Sequence, residues 1–265
     1  MPNKLSEISI ILYGLRFSPL PYEEKLKKLH EIGYRSIQGG LQPGMTNKEH
    51  RAFIDDMGME FSCFSGGFEA LEEDAGKFIE GCHAFDCDEI MIGTMPTECR
   101  FNYDGYMKAI DRMNAIGKTL SKEGIFLGYH NHAQEFRRFK NGKTGMDLLF
   151  DHLDPTGVHF LLDTHWVHSG GGDVLQWIEK VKGRIAYLHV KDYRIAPANF
   201  ETGIGETSKQ FAQIGEGNLP WPQIIETAHS VGVKAFIVEQ DFPYEDDPMD
   251  CAATSFAALK KFGLN

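Results

Sequence analysis

A chain of 265 residues, 42% hydrophobic and 25% charged, has ordinary globular composition and the length for one large domain. Its formal charge of −11, from 27 Lys and Arg against 38 Asp and Glu, argues against a phosphate-backbone partner, which calls for clustered basic residues. The 5 cysteines show no C-x-x-C pair, which argues against a disulfide framework or zinc knuckle and fits a reducing compartment. No apolar run reaches the ~18 residues that span a bilayer. No basic-then-apolar leader opens the chain, so a soluble cytoplasmic protein is the expectation.

In chain order, residues 8–12 are β-rich, and an amphipathic helix opens at Pro21, carries Leu26, Leu29 and Ile32 at helical spacing, and closes at Gly33. A second unit has a strand at 34–38 and a helix at 47–57 that Gly58 stops. The third pairs a strand at 59–63 with a helix from Leu71 towards His83, and the fourth pairs 89–92 with a helix at 103–122. Strand five is the run 125–127 continued into Gly128-Tyr129-His130-Asn131-His132, with 146–150 in the helix behind it. Strand six at 159–163 precedes a helix at 174–181, strand seven at 185–190 a helix at 221–229, and strand eight at 234–239 a helix at 251–262. Consecutive βα units without a break in composition predict a closed (β/α)₈ barrel, residues 1–265 forming one domain. An open doubly wound sheet is disfavoured, because strand one is followed by Tyr13-Gly14-Leu15-Arg16-Phe17 and not by a G-x-G-x-x-G turn. The irregular stretch 192–218 leaves strand seven at its C-terminal end and reads as a lid or binding segment.

Polar residues gather where the later strands end. His130, His132 and Glu135 follow strand five; Asp163, His165 and His168 strand six; His189, Lys191 and Asp192 strand seven; Glu239 and Asp241 strand eight. Strand side chains alternate faces, so His130 and His132 point the same way. Barrel enzymes draw their catalytic groups from the C-terminal ends of several strands, so these residues converge. Imidazoles mixed with carboxylates suit Mn²⁺, Mg²⁺, Co²⁺ or Zn²⁺.

The segments Tyr129-His130-Asn131-His132-Ala133-Gln134-Glu135-Phe136, Leu162-Asp163-Thr164-His165-Trp166, Leu188-His189-Val190-Lys191-Asp192, Gly215-Glu216-Gly217 and Val238-Glu239-Gln240-Asp241 resemble the sugar phosphate isomerase/epimerase family, the xylose isomerase-like TIM barrels. The resemblance covers essentially the whole chain. Its Y-H-N-H form with a trailing Glu-Phe is similar to the subgroup of keto-sugar and keto-glycoside enzymes. The family implies one divalent metal, Mn²⁺ foremost and Mg²⁺, Co²⁺ or Zn²⁺ as alternatives, held by Glu135, Asp163, His189 and Glu239. The strand-five position is open between Glu135 and His130, because members with Leu-Glu-Asn-His place their ligand where His130 stands. Glu135 is the expected ligand, with His130 or His132 close to the substrate. The apurinic endonucleases share the barrel but need further histidines, and none stands between Asp86 and Tyr129 or between Val190 and Ala228.

A ketone and its neighbouring hydroxyl chelated by such an ion acidify the intervening C–H, and an enediolate follows once a base takes the proton. Reprotonation from the other face gives epimerisation, reprotonation at the adjacent carbon gives isomerisation, and loss of a β group gives elimination. The expectation is a metal-dependent isomerase/epimerase acting on a keto-sugar or keto-glycoside. A lyase resembling inosose dehydratase is the alternative, and a non-catalytic sugar-binding barrel the reading from another class. His130 and His132 are the expected bases, Glu239 or Glu135 the bridging alternative, and Lys191 the positive charge beside the oxyanion. Gln38, Trp166, His168 and Glu216 are expected to contact the sugar, with Trp221, Phe17 and Phe64 offering apolar faces. Ser169-Gly170-Gly171-Gly172 reads as a flexible helix entry or an anion cradle. The expected partner is a small sugar, with no nucleic acid and no membrane, and a homo-oligomer or hetero-complex is compatible with the sequence.

Overall fold

Short apolar runs that are buried on both faces form parallel strands, because one face meets the inside of a barrel and the other its covering helices. The computed structural model describes residues 6–196, 208–244 and 246–265. The first seven barrel strands are β1 (Ile8–Ile11), β2 (Ser36–Gly39), β3 (Glu60–Gly66), β4 (Glu89–Ile92), β5 (Phe126–His130), β6 (Val158–Asp163) and β7 (Ile185–Val190). A hairpin of β8 (Asp192–Ile195) and β9 (Lys209–Ala212) follows, and β10 (Ala235–Val238) closes the ring by pairing with both β7 and β1. The closed eight-stranded parallel barrel is thus the expected architecture. Ile11, Cys63, Met91, Leu161, Tyr187 and Ile237, from six different strands, pack together inside it.

The register sets the site. Asp163 lies opposite His189 across β6 and β7, and His189 lies opposite Ile237, two residues before Glu239. His130 lies opposite Leu161, two residues before Asp163. Alternation with period two then puts His130, Asp163, His189 and Glu239 on the inward face at the same end of the barrel.

The helices α1 (Tyr22–Ile32) and α2 (Asn47–Asp56) fall where the periodicity puts them, and α2 starts on a capping box between Thr46 and Glu49. The single helix expected from Leu71 towards His83 is two, α3 (Phe68–Glu73) and α4 (Ala75–Ala84). Asp74 separates them and caps α4 by accepting the Lys77 N–H, as Asp favours a cap over a helix interior. After α5 (Tyr103–Leu120) and α6 (Gly145–His152), a short α7 (Thr164–Ser169) precedes α8 (Val174–Lys180). The last two are α9 (Trp221–Val231) and α10 (Pro248–Lys261). No helix of the described residues is long and apolar enough to cross a membrane, and all five cysteines are buried and free.

The stretch 192–218 is not simply irregular, since β8 pairs antiparallel with β9 from Asp192 opposite Ala212 to Ile195 opposite Lys209. Arms of four residues are too short to register as periodicity. Residues 197–207, part of the expected lid, lie outside the described residues. The return of the chain is organised around Asp192, which is fully buried. One of its oxygens accepts the N–H groups of Tyr193 and Leu219, the other those of Gly215 and the Trp221 indole at 2.6 Å. A Cβ on Gly217 would lie 2.2 Å from Asp192 Oδ1, so Gly215-Glu216-Gly217 is shaped by this carboxylate. Asp192→Ala should lower the unfolding free energy by about 3 kcal/mol, the scale for stranding buried partners of a charged group. Urea denaturation reads this directly, and a midpoint equal to wild type would contradict the anchoring role.

Other expectations resolve into packing. Phe64 and Trp221 are core residues, not apolar faces for a sugar. The glycine run beside Ser169 seats Phe136: a Cβ at Gly170 or Gly172 would stand 2.5 or 2.6 Å from its ring. Among the described residues, the large hydrophobic side chains left exposed all belong to the face where the strands end. Tyr13 and Phe17 follow β1, Met45 follows β2, Phe101 and Tyr103 follow β4, Ile195 ends β8, and Phe242 follows β10.

Candidate metal centre and active site

His130, Asp163, His189 and Glu239 are buried, and one potential donor atom from each lies within 4.8 Å of all the others. His130 Nε2 is 3.4 Å from Asp163 Oδ2 and 3.6 Å from Glu239 Oε2, and His189 Nδ1 is 2.8 Å from Glu239 Oε2. Local structure fixes each group. Asp163 ends β6 and begins α7: its Oδ1 accepts the Trp166 N–H as helix cap, which leaves Oδ2 for the cluster. Its own N–H donates to Asn131 Oδ1, tying β6 to the chain beyond His130. Across the barrel, Gln38 donates to Ser65 Oγ and accepts from His189 Nε2 at 2.7 Å. A histidine that donates one N–H to a neighbouring carbonyl presents its other nitrogen as a ligand, and here that is Nδ1.

Lys191 is 1% exposed. Its ammonium lies 2.9 Å from Asp163 Oδ2, 3.0 Å from Glu239 Oε2 and 2.7 Å from Asp241 Oδ2. Burial works against its charge, but the carboxylates of Asp163, Glu239 and Asp241 outweigh it and hold the ammonium well above the ordinary lysine range. Burial likewise opposes ionisation of Asp163 and Glu239, and the Lys191 charge reverses this, lowering both. His130 loses by burial and gains more from its hydrogen bond to Asp163 and the charge of Glu239, so its pKa rises. Burial, reinforced by the His130 charge, pushes His132 down to about 3.

The rings of His130 and His132 meet edge to face at 4.8 Å, in line with their expected shared orientation. His132 packs at 5.5 Å from Trp166, whose ring lies 5.2 Å from the Lys191 ammonium. His132 Nδ1 and Trp166 Nε1 are buried without a hydrogen-bond partner. Such orphans cost about 1–3 kcal/mol each and suit a place where a substrate supplies the partner.

Six of the expected site residues therefore converge with His130: His132, Asp163, His189, Lys191, Glu239 and Trp166. Gln38 reaches the cluster too, but its amide serves His189 and Ser65. Glu135, the expected strand-five ligand, stands outside the group, and His130 takes that place in it. Both Glu135 oxygens are engaged locally, Oε2 by the His132 N–H and Oε1 by the Tyr129 hydroxyl and Gln134 amide. The carboxylate thus braces the turn that carries His132. His168 stacks on Tyr193 at 4.6 Å, between α7 and the hairpin, and Glu216 is exposed in the turn around Asp192. Asp241, the third partner of Lys191, was visible in sequence only as one more acidic residue after strand eight.

Two imidazoles and two carboxylates, buried and within reach of one ion, fit a divalent metal by number and chemistry of donors. The family described as xylose isomerase-like TIM barrel matches residues 26–262. The chain belongs to that family. Inosose dehydratase of Geobacillus thermodenitrificans is 26% identical over 211 residues, 76% of this chain and 62% of that enzyme. The chain thus spans less than two thirds of the length of this curated relative. Among solved structures, a sugar phosphate isomerase/epimerase from Parabacteroides distasonis superposes with a TM-score of 0.78 at 20% identity, covering 96% of this chain and 93% of that one. A xylose isomerase-like barrel from Mycobacterium smegmatis, in complex with magnesium, superposes at 0.71 with 17% identity, each chain covered to 97%.

Proposed function

We infer that this barrel is a divalent-metal-dependent enzyme that removes the proton beside the carbonyl of a keto-sugar or keto-glycoside, with loss of water as the outcome. The observation that carries this reading is the convergence of His130, Asp163, His189 and Glu239 beside a buried ammonium and a further imidazole, His132. A divalent ion held by those four supplies a Lewis acid that makes the C–H beside the ketone acidic. Mn²⁺ remains the first choice, with Zn²⁺ and Co²⁺ next, because two imidazoles suit Mg²⁺ least.

The chain gives the proton work to an imidazole and the charge work to an ammonium. His132, which burial keeps unprotonated, takes the proton as general base. Lys191, kept cationic by its carboxylate neighbours, supplies positive charge beside the developing oxyanion, and the proton taken by His132 leaves with the departing hydroxyl as water. Loss of a hydroxyl β to the carbonyl gives elimination and return of the proton to the neighbouring carbon gives isomerisation, so one base at this place serves either outcome. The Trp166 indole N–H gives a substrate hydroxyl a buried donor. The inosose dehydratase relative is consistent with elimination, although the match spans only part of that enzyme. Isomerisation or epimerisation is the second reading, because it begins with the same proton removal by His132, whose ring lies 4.8 Å from that of His130.

Protein stripped by chelation and protein reloaded with Mn²⁺ should be incubated with keto-inositols and keto-glucosides and the products weighed by mass spectrometry. Turnover restored by metal, with product lighter by one water, is the expected result. Product of unchanged mass would move the assignment to isomerase or epimerase. No turnover of any keto-sugar by metal-loaded protein would contradict the reading.

A further inference from the structure

We propose that the cleft between the β8–β9 hairpin and the chain leaving β10 is an aglycone subsite, which receives a flat aromatic group attached to the keto-sugar. This rests on the keto-sugar reading above and narrows its substrate to keto-glycosides with an aromatic aglycone. The cleft has a volume of about 490 Å³ and is lined by Arg194, Gln210, Phe242, Tyr244 and Asp246. That is the size of a small-ligand pocket, with two aromatic rings and polar groups that can bond oxygen substituents.

The rings are presented, not packed away. Phe242 is 43% exposed and Phe17 46%, and they meet edge to face at 5.1 Å. Tyr244 also meets Phe242 edge to face at 5.1 Å. Tyr244 has a φ of 57°, uncommon for an aromatic residue, and its hydroxyl is fixed by accepting the Phe211 N–H from β9. Arg16 lies over the Phe17 ring at 4.6 Å and donates to the Asp241 carbonyl at 2.5 Å, which ties the β1 loop to the β10 loop.

The subsite adjoins the chemistry. Phe242 stands three residues after Glu239, so their Cα atoms are at most about 11 Å apart. Between them Asp241 is anchored on Lys191 at 2.7 Å. The cleft residue Phe242 thus follows directly on the segment that carries Glu239 and Asp241, on the side where an aglycone would leave a sugar held at the metal centre. The bland explanation, scattered surface hydrophobics, does not fit the confinement of the exposed large side chains to the strand-end face.

Binding of methyl and phenyl keto-glucosides to the metal-loaded full chain should be measured by calorimetry for wild type, Phe242→Ala and Phe17→Ala. Wild type should bind the phenyl glycoside about tenfold more tightly than the methyl, a preference of the size aromatic contacts give, and Phe242→Ala should remove most of it while thermal midpoints stay put. Equal affinity for the two glycosides in wild type would overturn the subsite alone, as would a preference that survives Phe242→Ala. If light scattering shows that either substitution changes the particle mass, the rings are a contact between copies and the proposal falls. Binding of neither glycoside by wild type would remove the keto-sugar reading itself, and the subsite with it.

Discussion

Asp163→Asn and His189→Ala should each purify as folded barrels without tightly bound metal and with turnover lowered by about 10³-fold or more, the consequence of losing several kcal/mol of charge stabilisation in the transition state. Asparagine at 163 retains an oxygen able to cap α7 through the Trp166 N–H, so the variant tests the charge and not the helix start. His189 meets the cluster at Nδ1 and Gln38 at Nε2, and alanine removes both. Circular dichroism confirms the fold, elemental analysis counts the metal, and product formation gives the rate. One full equivalent of tightly held metal in both variants would contradict the proposed ligand set.

The second large effect separates three residues that lie within six positions of one another. His132→Asn should keep its metal and lose roughly 10²-fold or more in turnover, the usual share of a positioned general base. His130→Asn should lose the metal along with the activity, because His130 Nε2 faces both Asp163 and Glu239. Glu135→Gln should retain its metal, since both oxygens of Glu135 already serve the turn that carries His132. The opposite pattern, metal kept in His130→Asn and lost in Glu135→Gln, would return the strand-five ligand to Glu135. Wild-type turnover in His132→Asn would hand the proton to another group.

The barrel was legible in the sequence because its signals are local. Apolar runs such as Ile185–Val190 and amphipathic helices such as Tyr22–Ile32 announce themselves by period, and repeating βα order leaves few topologies. Asp163, His189 and Glu239 were legible for a related reason, since each stands within one residue of the end of a strand, and parallel strands align their C-terminal ends. The choice between His130 and Glu135 was not legible, because it depends on which atoms a turn has already engaged. Glu135 is a carboxylate at a ligand-like spacing, yet Tyr129 and His132 occupy it, a fact of three-dimensional hydrogen bonding that spacing does not encode. Likewise Gly215-Glu216-Gly217 looked like a substrate motif, while its glycines answer to Asp192, more than twenty residues earlier in the chain. The role of Asp241 emerged only when Lys191 reached it across neighbouring strands.

Proton removal beside the ketone is most directly tested in D₂O. Metal-loaded protein incubated with a keto-sugar that it turns over should place solvent deuterium at the carbon next to the carbonyl, in recovered substrate or in any product that keeps that hydrogen. A base such as His132 at the open end of the barrel holds the proton long enough for exchange, and the His132→Asn variant should show the label appearing about 10²-fold more slowly. Mass spectrometry and the loss of the proton resonance at that carbon read the same event. Demonstrated turnover in which the hydrogen at that carbon is retained or passed directly to its neighbour, with no solvent deuterium acquired, would contradict proton abstraction and point to hydride transfer between carbons.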